Sequence, residues 1–150
     1  MRSDAFRRVV AGRERELHTV MAGWMATPPG SLEEFVAAER EVEALRDEFA
    51  GYFQRHDALL CPVVPLPAHE HGAGELTIGN MTVPQRHVVR ATVPFNLTGH
   101  PAVSVPFGSS GGGLPIGVQL VGRHFDERTI LTLGAALETE TDAGDRRPIP

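Results

Sequence analysis

The stretch Ala102-Val-Ser-Val-Pro-Phe-Gly-Ser-Ser-Gly-Gly-Gly-Leu-Pro-Ile-Gly-Val-Gln-Leu-Val121 sets two apolar runs around a glycine-rich centre with adjacent serines, Ser109 and Ser110. Ala102–Pro106 and Ile116–Val121 read as strands. The segment between them can present a nucleophilic hydroxyl, cradle a phosphate, or turn the chain. The phosphate reading fails because the P-loop needs a lysine before its Ser/Thr. All fourteen basic residues here are arginine, and lysine is absent. A serine also needs a neighbouring base, and no histidine stands in a recognisable arrangement with Asp and Ser. The segment therefore reads as a turn between two late strands.

Towards the carboxy end, Asp126 is placed to cap a last helix carrying Ile130, Leu131, Leu133, Gly134 and Leu137. The tail from Thr141 to residue 150 reads as frayed. Towards the amino end, a short helical segment is expected at 85–93, ending at Pro94. Pro65–Pro84, rich in Pro, Gly and His, reads as a long loop with a turn at Gly79-Asn80. Ala58–Val64 is a short continuous apolar run, read as a buried strand.

Residues 1–56 read as helical. Phe6, Val9, Val10, Leu17, Val20, Met21 and Trp24 stripe one face of a helix over 4–25, which Thr27-Pro-Pro-Gly30 breaks. Ser31-Leu-Glu-Glu34 is a capping box opening a second helix, striped by Leu32, Phe35, Val36, Val42, Leu45, Phe49 and Phe53 and ending near His56. Its Glu/Arg run at 39–48 marks a solvated face.

Composition bounds the function. At 150 residues, 41% hydrophobic and 22% charged, the chain is an ordinary globular segment. A net charge of -5 offers no electrostatic case for nucleic acid or an anionic membrane. The sequence carries neither a membrane-length apolar run nor a secretory leader, and one cysteine, Cys61, fits a reducing cytoplasm.

Three blocks then stand in order: Asp57-Ala-Leu-Leu-Cys-Pro62, Thr92-Val-Pro-Phe-Asn-Leu-Thr-Gly-His-Pro-Ala-Val-Ser-Val-Pro106, and Gly113-Leu-Pro-Ile-Gly-Val-Gln-Leu-Val-Gly-Arg-His-Phe-Asp-Glu127. Together they resemble the carboxy-terminal region of the amidase signature family, over roughly residues 31–140. Cys61 stands where the family often has Thr, and His100 where Leu is usual. The resemblance implies an α/β fold: a mixed sheet with flanking helices and two helices before it, with 57–140 as the strand and helix core. It implies hydrolysis of carboxylic amides by a serine nucleophile, a second serine in a cis peptide and a lysine, without a cofactor. Those groups lie upstream of the matched blocks, so no catalytic residue is assigned here. Gly108-Ser-Ser-Gly-Gly only echoes the family's signature, which leads into a helix rather than a strand.

The resemblance also places the segment before Pro94 near the acyl pocket, making Val89, Thr92 and Phe95 candidate lining residues. The transamidating branch tends to carry an acidic residue where this chain has Val89, which favours a plain amidase with an apolar or uncharged substrate. From the residues themselves, His69-Glu-His71 lacks the further ligands a zinc site needs, so no metal is expected. Cys61 reads as a buried inert thiol, Asn96 as bonded to local backbone, and Gln119 as facing outward.

Two readings stay open. In the first, the chain is the carboxy-terminal portion of an amidase. It is then inactive alone, and acts on a small-molecule amide only when a complementing chain or a homo-oligomer completes it. In the second, it is a non-catalytic binding module. The strands at 102–106 and 116–121 carry little edge protection beyond their bounding prolines, which favours the first.

Overall fold

The computed structural model describes residues 2–17 and 19–141. They fall into two compact units that divide between Glu39 and Arg40, inside one long helix.

In the first unit, α1 spans Arg2–Val10 and α2 Thr19–Ala26, separated by a turn of 3-10 helix at Glu14–Glu16. The single helix expected over 4–25 is thus two. Gly12, at φ 80°, turns the backbone out of the helix, and its amide donates to Glu14 Oε1 at 3.0 Å. The side chains of Val20 and Trp24 lie outside the described residues. α3 begins at Leu32 after the Thr27–Gly30 break. Its capping box forms as expected: the Glu34 amide donates to Ser31 Oγ at 3.1 Å, and the Ser31 amide donates to Glu34 Oε2 at 2.7 Å.

In the second unit, α3 runs on to Phe53. A three-stranded antiparallel sheet follows, in the order β1 (Ala58–Pro62), β5 (Pro115–Gly122), β4 (Ala102–Ser109). β1 is half-buried rather than buried: Leu59 and Cys61 turn inward, while Leu60 and Pro62 are exposed. The expected loop at 65–84 contains an antiparallel hairpin, β2 (Glu75–Ile78) and β3 (Met81–Pro84), closed at Gly79-Asn80. Leu76 and Val83 pair across it and are both buried.

The segment expected as one helix ending at Pro94 is a 3-10 turn, Gln85–Val89, followed by α4, Val93–Thr98. Pro94 opens α4 instead of closing the segment before it. Its missing amide lies in the first turn, where that donor has no intrahelical partner to lose. The Gly99 amide closes α4 on Phe95 O at 2.8 Å.

α5, Glu127–Glu140, covers one face of the sheet. Gly134 sits against Val103, Val105 and Leu120, and Ile130 sits against Gly122. Asp126 occupies the N-cap position, but its carboxylate accepts the Thr129 hydroxyl at 2.8 Å instead of a backbone amide. Past Thr141, the tail expected to fray lies outside the described residues. The opposite sheet face packs Val121, fully buried, against Phe53 and Phe95, with Phe49, Tyr52, Leu59 and Cys61 around them.

Candidate functional site

The glycine-rich centre is a turn. The Ser110 amide donates to Leu114 O at 2.8 Å, the Gly113 amide to Ser110 O at 2.9 Å, and the Leu114 amide to Ser110 Oγ at 3.2 Å. The Ser110 hydroxyl oxygen thus helps close the loop, and no described histidine or carboxylate bonds it. The flanking strands run further into the stretch than expected, with Ser109 paired to Pro115 across the ladder.

The sheet face away from α5 carries a cleft of about 340 Å³. Thr92, Phe95 and Asn96 wall it from α4 and the residue before it, Ala102 and Ser104 from β4, with Val63, His100, Val103 and Gln119 completing the wall. Two of the three expected lining residues, Thr92 and Phe95, are therefore on this wall. Val89 ends the preceding 3-10 turn, is 47% exposed and is not among the wall residues. The Thr92 hydroxyl donates to Val89 O at 2.9 Å. Asn96 is exposed, and its side chain makes no hydrogen bond with the described residues, against the expectation of a local backbone bond.

Gln119 does not face outward. It is 3% exposed, and its Nε2 donates to Pro62 O at 3.0 Å and Ala91 O at 2.9 Å. Both amide protons are used, joining the end of β1 to the segment that enters α4. Its β-strand alternation with apolar neighbours carried no hint of this, because the partners lie 57 and 28 residues away. Cys61 pairs with Gln119 across the ladder. Burial pushes its thiol above the ordinary value, with the Gln119 side chain partly opposing that.

His100 enters the sequence reading only as a departure from leucine, with no role assigned to it. It is 8% exposed, with its ring centroid 5.1 Å from that of Phe49 and 5.3 Å from that of Phe53. His124 stacks on it at 4.0 Å. Thr98 organises both imidazoles. Its hydroxyl lies 2.9 Å from Pro94 O, which can only accept. The same oxygen lies 2.8 Å from His100 Nδ1, a contact whose donor is set by the tautomer of the ring. The Thr98 carbonyl receives His124 Nε2 at 2.9 Å and Arg46 Nε at 3.3 Å, while Arg46 Nη2 donates to Leu97 O at 3.3 Å. Arg46 also pairs with Glu43. Burial lowers the His100 pKa from its ordinary value, and the charges of His124 and Arg46 lower it further.

Elsewhere, His69 Nε2 contacts Gln85 Nε2 at 3.1 Å. Among the described residues, no group of three or more His, Cys, Asp or Glu could hold a metal ion. None of the described helices is long and apolar enough to cross a membrane.

A family model described as Amidase matches residues 6–131. A glutamyl-tRNA(Gln) amidotransferase subunit from Geobacillus kaustophilus (strain HTA426) is 34% identical over 131 residues, covering 87% of this chain and 26% of its own length. A solved amidase superposes with a TM-score of 0.82 at 28% identity, over 92% of this chain and 32% of that one. A bacterial aryl acylamidase of the amidase signature family gives 0.73 at 25% identity, over 98% and 33%. The chain thus spans about a quarter of the amidotransferase relative and about a third of the solved enzymes. With the fold, the three sequence blocks and these likenesses in agreement, the chain belongs to the amidase family, among the amidase signature enzymes.

Proposed function

We propose that this chain forms the carboxy-terminal part of an amidase that hydrolyses carboxylic amides, and that it is inactive without the part bearing the serines and lysine. One observation carries the reading: the sequence has no lysine, and its glycine-rich segment with adjacent serines is a strand-to-strand turn. A serine–serine–lysine mechanism needs an uncharged lysine to take the serine proton. It also needs backbone amides aimed at the developing oxyanion. What this chain contributes is a wall of the acyl site, from Thr92 and Phe95, for an apolar or uncharged acyl group. A homo-oligomer would supply no lysine, so the serines and lysine come from a part outside this sequence, in a reducing cytoplasm.

The test compares the purified chain alone with the chain mixed with the complementary, lysine-bearing part of the Geobacillus relative, on simple aliphatic and aryl amides. The expected result is no hydrolysis alone and hydrolysis on mixing. Hydrolysis by the chain alone, abolished by Ser109→Ala or Ser110→Ala, would overturn the reading. A complex that forms but never hydrolyses would favour a non-catalytic binding module.

A further inference from the structure

His100 stands where the resembling family usually has leucine, so the imidazole stack it forms with His124 belongs to this chain. The two ring centroids lie 4.0 Å apart at an interplanar angle of 22°. The stack ties together backbone segments distant in sequence. His100 stands just before β4 and packs on Phe49 and Phe53 of α3, at 5.1 and 5.3 Å between centroids. His124 sits in the turn between β5 and α5, and its Nε2 meets Thr98 O, at the end of α4, at 2.9 Å. Beside it, the turn is tied by the exposed Arg123–Asp57 pair at 3.3 Å and by the Gly122 amide on Pro101 O at 3.0 Å. Phe125 follows with φ 62°, a left-handed backbone that a bulky residue adopts at a cost, and is 95% exposed. A strained turn is thus held down at its neighbour, His124.

The charges around the stack are cationic or already paired. Arg46 of α3 reaches the same Thr98 carbonyl, with Nε at 3.3 Å, and its carboxylate partner is Glu43. Arg123 holds Asp57, on the chain entering β1. Asp126, before α5, accepts the Thr129 hydroxyl, and His56, past the end of α3, stacks on Tyr52. α4, β4 and β5 carry no ionisable side chain. Among the described residues, no carboxylate bonds either imidazole of the stack. A proton on each ring would therefore put two cations 4.0 Å apart, near the third on Arg46, without a counter-ion. Burial lowers the His100 pKa from its ordinary value, and His124 and Arg46 lower it further, in keeping with this geometry. What matters is the number of protons on the pair, not which nitrogen holds the last one.

We infer that the His100–His124 stack is a proton-operated latch, which clamps the turn 122–126 onto the end of α4 and releases it on acidification while the three-stranded sheet stays folded. With at most one proton on the pair the stack holds, and a second proton drives the rings apart. The sheet stays because its own packing, Val121 on Phe95 and Leu120 beside Gly134 of α5, contains no imidazole. His100 also lines the cleft of Thr92, Phe95 and Asn96, so release of the turn loosens the support of that wall. The latch goes beyond the amidase reading and does not depend on it.

The test follows amide exchange in the full chain, corrected for its intrinsic pH dependence, together with the ring-proton shifts of each histidine, between about pH 7.5 and about pH 5. Protection of the Gly122 and Asp126 amides, bonded to Pro101 O and Arg123 O, should fall about tenfold or more across that range. The ladder amides of β4 and β5 should keep theirs. His124→Gln removes the second charge, so it should raise the His100 titration midpoint and leave the turn protected in acid. His100→Leu, which installs the family's usual residue, should also leave it protected. Four results would each overturn the latch: turn protection that does not change with pH, protection lost equally from the sheet, a His100 midpoint unmoved in His124→Gln, and acid release that persists in His100→Leu. The first two are read on the parent chain and decide the matter even where a variant fails to fold. Because none of these readouts needs hydrolysis, failure of the complementation assay and failure of the latch are separate events.

Discussion

The side-chain nitrogen of Gln119 on β5 lies 2.9 Å from the carbonyl oxygen of Ala91, and 3.0 Å from that of Pro62 on β1. One buried amide thereby fixes the approach of the chain to α4, and with it the wall that carries Thr92 and Phe95. Replacing it by an apolar residue of similar length leaves two carbonyls without their donor. Gln119→Leu is expected to cost about 2 kcal/mol in urea unfolding. It should also broaden the amide signals of residues 91–96. A variant as stable as the parent, with those signals unmoved, would show that the two bonds do not hold the cleft.

How much of this is legible in the sequence follows from the range of each interaction. The capping box at Ser31–Glu34, the Pro28-Pro29 break and the closed turn at Ser110–Leu114 are settled within four residues, and each is readable. The hairpin at 75–84 is not: its strands are four residues long and embedded in Pro, Gly and His, so only its Gly79-Asn80 turn is visible. Pro94 reads as a stop, yet proline suits the first turn of a helix as well as the residue after one. The cleft depends on Gln119 and His100, whose roles come from Ala91, Pro62, Phe49 and His124. Strand alternation reports which face a residue occupies, not what waits there across the fold.

The close approach of α5 to β5 gives a packing test. A Cβ built on Gly122 would lie 2.6 Å from Ile130 Cγ2, closer than side-chain contacts allow. Ile130 is buried and branched at Cβ on a helix, so it has little rotamer freedom with which to yield. Gly122→Ala should therefore cost about 2 kcal/mol. Paired with Ile130→Ala, which removes the obstructing methyl, it should cost much less than the two single changes added together. Additive losses in a double-mutant cycle of urea midpoints would disprove the contact.

Cys61 reports on the integrity of the same layer. Burial holds its thiol above the ordinary value, which lowers the thiolate fraction available to an electrophile. Labelling by a maleimide at pH 8 should run about tenfold or more slower than on a free cysteine, and should match it once the chain is unfolded in urea. Gln119→Leu, by loosening the strand beside it, should speed the native reaction. Native labelling as fast as that of free cysteine would contradict the burial.

The imidazole of His100 makes stability depend on pH with a definite sign. It packs between Phe49 and Phe53, stacks on His124 and has the Arg46 guanidinium on the neighbouring helix, so its folded pKa lies below the ordinary 6.5. Between those two values the unfolded chain binds a proton that the folded chain refuses. Stability therefore rises with pH across that window, and the contribution is lost as pH falls from 6.5 through the folded value. Urea unfolding at about pH 7.5, 6.5 and 5.5 should show the parent losing stability on acidification more steeply than His100→Leu, which has nothing to protonate at this position. Parallel curves for the two chains would mean that His100 is as easily protonated when folded as when unfolded.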